Sequence, residues 1–289
     1  MVCLSGMKIR FLGWRYKIKS FDQFVCLGGL PRTGSTLLSG LLSQNPTIHA
    51  EGASGLCQIM WDTKVSCEGA ANKELLVSSR THSVHDIVSQ LPHAYYKRND
   101  PQERIVVDKC RSWPLPANTQ MLDDFIGRET KVIVLVRPIV EVVRSFVGLH
   151  KANNCYSKQA ERAFIEDSDG PVLRSLSGIH SAHRSDSDRF LFVSYKSIVE
   201  DTAKTLKGIY DFCGWKHFIH NTKNVQPRYV ENDNIFGLKG HHTVREKVEY
   251  RENHTELMDE TIQRCAELDS ALNLDTLTVN LKKLQKRYE

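Results

Sequence analysis

Two kinds of segment are missing from this sequence. No apolar run is long enough to cross a membrane, and the first 20 residues are interrupted by five basic side chains, Lys8, Arg10, Arg15, Lys17 and Lys19. The eight cysteines stand singly, without a C-x-x-C pair or a Cys/His cluster at zinc spacing. Single cysteines are typical of free thiols in a reducing compartment. We therefore expect a cytoplasmic protein with no membrane span, no anchor and no metal site.

The composition is that of an ordinary globular protein. The chain has 289 residues, of which 40% are hydrophobic and 25% charged, and it shows no internal repeat or low-complexity segment. This length suffices for one large domain with a sizeable core. The net charge of +5 favours anionic ligands, but the basic residues are scattered, so nucleic acid is not an expected partner.

The segment Phe24–Pro46 has the pattern of an anion-binding loop. It reads FVCLGGLPRTGSTLLSGLLSQNP, in which an apolar run meets Gly28 and Gly29, a short turn follows, and a helix starts after Gly34. Such a junction directs several backbone N–H groups and the positive end of the helix dipole at one point. The segment therefore predicts a strand, a loop and a helix that together bind a phosphate or a sulfate.

This loop differs from the P-loop of nucleotide hydrolases at one position. Residues Gly29–Thr36 keep both glycines and the final hydroxyl, but Ser35 stands where G-x-x-x-x-G-K-[ST] has its lysine. The cation lies in the turn instead, as Arg32, and a later strand ends in Arg137 rather than in a magnesium-binding carboxylate. The pattern argues against a kinase or hydrolase and favours a less charged donor held without a metal.

A second motif follows a second buried strand. Residues Lys131–Val136 read KVIVLV, which is typical of a parallel strand covered on both faces, and Arg137 comes directly after it. Ser145 lies eight residues on, within a predicted helix. Further short strands are predicted at 47–50, 104–107 and 190–193. Strands alternating with helices predict an α/β fold with a central, mainly parallel sheet flanked by helices in three layers, and ligands beyond the carboxyl ends of the strands.

Together the two motifs carry a family resemblance. PRTGSTLL, with the distant arginine and serine, resembles the phosphosulfate-binding loop of the sulfotransferases, and is most similar to the protein-tyrosine branch and its bacterial and viral relatives. The resemblance extends over about Phe24 to Val248. It implies a P-loop-like fold, 3′-phosphoadenosine 5′-phosphosulfate as the donor and a hydroxyl group as the acceptor.

The resemblance also implies which residues bind the donor. Those expected at its 5′-phosphosulfate are Arg32, Thr33, Gly34, Ser35, Thr36 and Leu37. Arg137 and Ser145 would hold the 3′-phosphate, and Tyr195, in VSYKSIVED, would pack near the adenosine. Cations of a late loop over the 3′-phosphate would be Lys239 and Arg245.

Sulfuryl transfer needs cations at the departing oxygen and a base for the acceptor proton. Arg32 is the first candidate for charge stabilisation. Lys109, in VVDKCR, resembles the group that stabilises or protonates the leaving phosphate, unless it forms an ion pair with Asp108. The position of the family's glutamate base falls on Ala53, which leaves Glu51 and His49 as candidate bases.

The remaining segments are interpreted as parts of one sulfotransferase domain. Residues 1–22 form an N-terminal extension, in which Met7–Lys19 suits a β-hairpin or edge strand, or alternatively a basic membrane-surface segment. Residues 51–100 form a helical covering insertion, 215–251 a late loop over the nucleotide, and 252–289 a C-terminal helical segment. We interpret His82 and His85 as a surface pair. His241 and His242 show no carboxylate at a spacing suited to a metal.

Several points stay open at this level. The acceptor could be a small molecule, a glycan or a peptide tyrosine, because specificity depends on the covering insertion and the late loop. The oligomeric state cannot be inferred. The uncertain base also leaves a non-catalytic nucleotide- or sulfate-binding module as an alternative function.

Overall fold

A computed structural model describes most of the chain. The described residues are 20–69, 72–78, 80–97, 102–185 and 187–272. The hairpin predicted for Met7–Lys19 lies outside them, as does the end of the C-terminal segment. Within them, no helix combines the length and the apolar character that crossing a membrane requires.

The core of the fold is a five-stranded parallel sheet. Its strands are β1 (Gln23–Gly29), β2 (Ile48–Ala50), β3 (Ile105–Lys109), β4 (Lys131–Val136) and β5 (Phe190–Ser194). They lie in the order β2-β3-β1-β4-β5, and every neighbouring pair is parallel. Each of the five strands predicted between Phe24 and Val193 is present, with ends shifted by at most two residues.

Helices connect the strands and cover the sheet. They are α1 (Ser35–Leu42), α2 (Leu56–Glu68), α3 (Lys73–Val77), α4 (Thr81–Tyr95), α5 (Pro116–Phe125), α6 (Ile139–Ala152), α7 (Lys158–Glu166), α8 (Pro171–Arg184), α9 (Tyr195–Glu200), α10 (Thr202–Cys213) and α11 (Asp259–Leu272). Between β2 and β3 the chain forms α2, α3 and α4, so the predicted covering insertion is helical. The late loop contains one 3₁₀ turn at Asp233–Phe236.

Both faces of the sheet are buried, which explains the continuous apolar strands. Side chains alternate along β1, so that Phe24 and Cys26 enter one core with Trp113, while Val25 and Leu27 enter the other. The first core includes residues of α5, α6 and α8, and the second includes residues of α1 and α10. The predicted α/β architecture with helices on both faces is confirmed.

Two helical segments have ends that follow from local structure. The chain after Ser194 forms α9 and α10 rather than one helix, because Asp201 has a non-helical backbone with φ −134° and ψ 53°. The helix of the C-terminal segment begins at Asp259 rather than at residue 252. Ahead of it, the Met258 N–H donates to Glu161 Oε1 at 2.8 Å, so this donor bonds a side chain of α7 rather than a helical carbonyl.

Candidate active site

The strand register brings four predicted functional segments to one edge of the sheet. Leu27 of β1 lies level with Lys109 of β3 on one side and with Ile133 of β4 on the other. Val136, at the end of β4, pairs with Ser194 at the end of β5. The loop after β1, Lys109, Arg137 and Tyr195 therefore meet at the carboxyl end of the sheet, where parallel α/β proteins bind ligands.

The loop after β1 has the backbone of an anion cradle. Gly34 caps α1 with a left-handed backbone (φ 78°), and its position has no side-chain cap hydrogen bond. The first N–H groups of α1 are therefore available to a ligand. A Cβ atom on Gly29 would lie 2.2 Å from the Leu135 carbonyl oxygen, and one on Gly34 would lie 2.9 Å from the Tyr195 ring. Both glycines allow close packing that another residue would prevent.

Arg32 connects this loop to a distant helix and to the late loop. Its own backbone is left-handed, with φ 58°. The Nε of Arg32 donates to Ser145 Oγ at 2.9 Å, and its Nη1 donates to the His241 carbonyl oxygen. Burial lowers the pKa of Arg32, and the positive charge of Arg137 lowers it further. The side chain thus lies among polar groups and beside a second cation.

Arg137 contacts the same loop and is itself almost fully buried. It is 8% exposed, and its Nη1 donates to the Arg32 carbonyl oxygen at 2.9 Å. Its Nε donates to Glu141 Oε2 at 2.8 Å, and its guanidinium carbon lies 4.2 Å from the centroid of the Tyr195 ring. The structure therefore brings the glycine-bounded loop, the predicted arginine and serine, and the predicted tyrosine into direct contact.

A cavity of about 1300 Å³ opens over these residues. The sequence-predicted donor and catalytic residues that line it are Arg32, Gly34, Ser35, Thr36, Leu37, Lys109, Arg137, Ser145, Tyr195 and Arg245. Thr33 lies beneath the loop, where its hydroxyl donates to the Leu30 carbonyl oxygen at 2.7 Å. Lys239 is exposed and does not line the cavity, and its backbone N–H and carbonyl pair with the Asn153 side chain. The structure gives no support to a donor contact from the Lys239 side chain.

The described lining of the cavity is strongly cationic. Its arginines and lysines are Arg32, Lys109, Arg111, Arg137, Arg174, Arg245, Lys247 and Arg251. Its carboxylates are Asp169, Glu249 and Glu252. Eight cations against three carboxylates favour a ligand with several negative charges.

Lys109 lies at the end of β3 with its ammonium group unpaired. Burial lowers its pKa to about 8, with a further lowering by the charge of Arg111. No described residue forms a hydrogen bond or an ion pair with the Lys109 side chain. The possible ion pair with Asp108 is absent, because successive strand residues point to opposite faces. Asp108 instead accepts hydrogen bonds from the side chains of Ser54, Tyr96 and Trp113, at 2.6, 2.6 and 2.7 Å.

The two candidate bases from the sequence lie outside the cavity lining. His49 Nδ1 is 3.2 Å from Glu103 Oε2, and its Nε2 contacts Glu51 Oε1. Glu103 also pairs with Arg228 at 2.5 Å. Neither His49 nor Glu51 lines the cavity, and each already has a side-chain partner, because His49 pairs with both Glu51 and Glu103. The structure therefore gives no support to either residue as the base.

The late loop contains two carboxylates, Glu231 and Asp233, that contact His242 and were not predicted from the sequence. His242 Nδ1 lies 2.7 Å from Asp233 Oδ1 and 3.1 Å from Glu231 Oε2. These carboxylates reach the histidine because a 3₁₀ turn folds residues 233–236 back against it, which the spacing in the sequence did not predict. The described part of the chain contains no group of three or more His, Cys, Asp or Glu side chains arranged to hold a metal ion. His82 and His85 are exposed on α4.

Two arginines of the cavity were also missed. Arg111 lies two residues after Lys109, so its place beyond a strand end was a signal in the sequence. Arg174 carried no such signal, because it stands in a helix far from every recognised motif. Both line the cavity.

Comparison with known proteins agrees with the geometry. Residues 25–219 match a family described as Sulfotransferase family. A direct comparison with curated proteins gives no match. Similar solved structures include a sulfotransferase domain from the curacin biosynthetic pathway, at 17% identity and a TM-score of 0.53, covering 88% of this chain and 98% of that one. A sulfotransferase from Alicyclobacillus acidocaldarius has 12% identity and a TM-score of 0.51, with 90% and 95% coverage.

Mouse sulfotransferase SULT7A1 complexed with PAP gives 15% identity and a TM-score of 0.50, covering 92% of this chain and 91% of that one. At such identities the structural likeness shows the fold. The family match is the stronger finding, because it spans well over half of the sequence and includes the glycine-bounded loop, Lys109, Arg137, Ser145 and Tyr195. The protein belongs to the sulfotransferase family and is an enzyme of that family.

Proposed function

We propose that this enzyme transfers a sulfuryl group from 3′-phosphoadenosine 5′-phosphosulfate to a hydroxyl group. The proposal rests on the contact between the glycine-bounded loop after β1 and the two residues Arg137 and Ser145. Arg32 donates to Ser145, and Arg137 donates to the backbone of Arg32. A single ligand with anionic groups at two ends, such as a nucleoside bisphosphate, would engage both segments at once.

The 5′ end of the donor suits the N-terminal turn of α1. The side chains of Ser35 and Thr36 line the cavity beside the uncapped N–H groups. These groups would bind the 5′-phosphosulfate by hydrogen bonds and by the helix dipole. Leu37 lines the same wall and would contact the donor through apolar atoms.

The 3′ end of the donor suits Arg137 and Ser145. A guanidinium group can bind a phosphate through two parallel hydrogen bonds, and a serine hydroxyl can add a third. Tyr195, stacked on Arg137, would provide a flat surface near the adenosine. Arg245 would add a cation from the late loop. The PAP complex of the structurally similar mouse enzyme supports this class of ligand.

The reaction requires no metal ion in this proposal, because protein cations meet the developing charge. The bond between sulfur and the bridging phosphate oxygen breaks, a bond between sulfur and the acceptor oxygen forms, and the acceptor hydroxyl gives its proton to a base. The electron pair of the broken bond stays on the departing phosphate. Arg32 and Lys109 would stabilise that charge, and Lys109 can also donate a proton to it.

The proposal is tested by incubating the enzyme with donor carrying radiolabelled sulfur and a panel of phenols, alcohols, sugars and tyrosine peptides. We expect release of adenosine 3′,5′-bisphosphate together with the gain of one sulfuryl group by at least one class of acceptor. Tight binding of adenosine 3′,5′-bisphosphate without any transfer would instead indicate a non-catalytic binding module. ATP turnover with magnesium would indicate a kinase or hydrolase.

A further inference from the structure

Two arginines stand together in the cavity wall outside the segments that we assign to the donor. Arg111 follows Lys109 in the loop after β3, and Arg174 lies in the first turns of α8. Both line the cavity. Burial lowers the pKa of Arg111, and the nearby positive charge of Arg174 lowers it further. The two residues thus belong to the same wall of the cavity, and we call them the arginine pair.

The arginine pair is positioned by packing and by backbone hydrogen bonds. The Gly29 N–H donates to the Arg111 carbonyl oxygen at 3.3 Å, which ties Arg111 to the start of the donor loop. Gly178, one turn after Arg174 on α8, lies so close to the same segment that a Cβ atom there would be 3.2 Å from the Leu115 backbone nitrogen. Because Gly178 permits this approach, α8 holds Arg174 beside Arg111.

Neither guanidinium group of the arginine pair has a hydrogen bond or an ion pair with any described residue. Both side chains of the pair are exposed in the open cavity, whereas the less exposed Arg137 and Arg189 form ion pairs with Glu141 and Asp123. Asp169 also lines the cavity, but it does not pair with either member. Two like charges without a counterion repel each other, and an anion between them would remove that cost. Guanidinium groups suit carboxylate, sulfate and phosphate, which accept two hydrogen bonds from one fork.

We propose that the arginine pair binds an anionic group of the acceptor. The acceptor is then a hydroxyl compound that also carries a carboxylate, a sulfate or a phosphate. This inference rests on the proposed sulfuryl transfer, because the pair lies next to Lys109 and beside the donor loop. The anionic group would orient the acceptor hydroxyl toward the sulfur and would exclude neutral analogues.

The test uses acceptor pairs that differ in one charge. The probes are 4-hydroxyphenylacetate against 4-hydroxyphenylacetamide, and galacturonate against galactose. We expect the anionic member to be sulfated with the higher kcat/KM, by roughly tenfold or more. The double variant Arg111→Ala/Arg174→Ala should bring the ratio close to one. Arg184→Ala, at the end of the same helix and outside the cavity lining, should keep the wild-type ratio. Equal rates for both members in the wild type would overturn the inference.

A binding measurement keeps the inference testable if none of these probes is sulfated. The protein is first saturated with adenosine 3′,5′-bisphosphate, and its melting temperature is then followed with added inorganic sulfate. Sulfate should stabilise the wild type and Arg184→Ala more than the double variant. An equal response of all three proteins would contradict an anion site at the arginine pair. Failure of the proposed function would show earlier, as absent binding of the bisphosphate.

A different observation concerns Glu231 of the late loop. Its Oε2 lies 3.1 Å from His242 Nδ1, while its Oε1 is buried without a hydrogen-bond partner among the described residues. A buried carboxylate oxygen without a hydrogen-bond partner destabilises the folded protein, unless a ligand or another group donates a hydrogen bond to it. Its negative charge raises the pKa of Lys109, against the larger effect of burial, so the two groups are near each other.

Gly52 makes room for this carboxylate. A Cβ atom on Gly52 would lie 2.1 Å from Glu231 Oε1 and 2.9 Å from Thr36 Cγ2. Glu231 does not itself line the cavity, but through the space that the missing side chain leaves it approaches Thr36, which does. The position equivalent to the family's glutamate base, Ala53, is the next residue. The late loop thus brings a carboxylate to the place where the resemblance leads us to expect one.

We infer that Glu231 Oε1 accepts the proton of the acceptor hydroxyl. The hydroxyl O–H bond breaks as the bond between its oxygen and sulfur forms, and the proton passes to Glu231. His242 holds the other carboxylate oxygen and so orients the group. This inference also rests on the proposed function and does not depend on the arginine pair.

Glu231→Gln and Gly52→Ala test this inference. Glu231→Gln keeps the shape but removes the base, and we expect kcat to fall by about 100-fold or more. Gly52→Ala should displace the carboxylate and also reduce kcat, whereas adenosine 3′,5′-bisphosphate binding should be retained in Glu231→Gln. Glu246→Gln, on the same loop but with its carboxylate against Gln226, should leave kcat unchanged.

The pH dependence of kcat distinguishes a residue that acts as the base from one with only a structural role. The acidic limb of kcat should disappear in Glu231→Gln and persist in Glu246→Gln. Full activity of Glu231→Gln would overturn the inference. A greater loss in Glu51→Gln than in Glu231→Gln would also overturn it and return the role of base to Glu51.

Discussion

Arg32 Nε donates a hydrogen bond of 2.9 Å to Ser145 Oγ, across 113 positions of the sequence. The first residue belongs to the loop proposed for the 5′-phosphosulfate, and the second to the pair proposed for the 3′-phosphate. Arg137 adds a second link through the Arg32 carbonyl oxygen. The groups proposed for the two ends of the donor are therefore in contact, and a change at one end should affect binding at the other.

Ser145→Ala should weaken the binding of adenosine 3′,5′-bisphosphate. The variant removes one hydrogen bond to the 3′-phosphate and leaves Arg32 without its hydroxyl partner. We expect the Kd to rise about tenfold, because hydrogen bonds to charged groups contribute about 1.5–3 kcal/mol. Isothermal titration calorimetry measures this change. An equal loss of affinity for ADP, which has no 3′-phosphate, would contradict the assignment of Ser145.

Lys109 should give the enzyme a basic pH limit. Its pKa is lowered to about 8 by burial and by Arg111, so the free enzyme loses this positive charge as the pH rises through that value. If the charged form assists the leaving phosphate, kcat/KM should fall above about pH 8. Lys109→Arg should remove this limb, because a guanidinium group stays charged.

Lys109→Ala provides the complementary measurement. It should reduce kcat by roughly 100-fold or more while changing donor affinity much less, since the group acts mainly on the transition state. A profile that is flat up to about pH 10 in the wild type, or unchanged turnover in the alanine variant, would exclude this role for Lys109.

Gly34→Ala should impair donor binding with a modest loss of stability. The residue has φ 78°, and a Cβ atom would lie 2.9 Å from the Tyr195 ring. The left-handed backbone alone should cost about 1–2 kcal/mol. Because the ring and the loop must separate, we expect adenosine 3′,5′-bisphosphate to bind at least about tenfold more weakly. Gly237→Ala is a matched control, since Gly237 has φ 63° and no atom within 4 Å of its added Cβ. Equal donor affinity in the two variants would contradict this account of the loop.

Asp108→Ala should strongly destabilise the protein. The carboxylate is fully buried and accepts hydrogen bonds from Ser54, Tyr96 and Trp113, so its removal breaks three hydrogen bonds to a buried acceptor. At about 1 kcal/mol or more for each hydrogen bond lost, the free energy of unfolding should fall by about 3 kcal/mol or more. Urea denaturation measures the loss. Asp124→Ala, which removes an exposed contact with Gln120, should stay within about 0.5 kcal/mol of the wild type.

The parts of the fold that were predictable have local causes. KVIVLV is an apolar run that only a strand buried on both faces accommodates, and it forms β4. The apolar run Phe24–Leu27, just before Gly28, forms most of β1 for the same reason. The glycine-bounded loop was predictable because its φ angles and its close packing against Leu135 leave few alternatives to glycine.

The parts that were not predictable depend on contacts between distant segments. Glu51 was the nearest carboxylate in sequence to the expected base, but Glu231 reaches the space beside Gly52 from the late loop. Likewise, nothing near Arg174 indicates that α8 packs against the loop after β3. Distance along the chain is a poor guide where irregular segments and inserted helices cover a site.

The central claim is that one ligand with a 3′-phosphate engages both the loop and Arg137. The most direct measurement is the ratio of the affinities for adenosine 3′,5′-bisphosphate and ADP, by calorimetry, in the wild type and in Arg137→Ala. We expect the wild type to bind the bisphosphate more tightly than ADP. In Arg137→Ala the ratio of the two affinities should be at least about 30-fold smaller. A wild-type enzyme that binds ADP as tightly as the bisphosphate, or a preference that survives in Arg137→Ala, would contradict it.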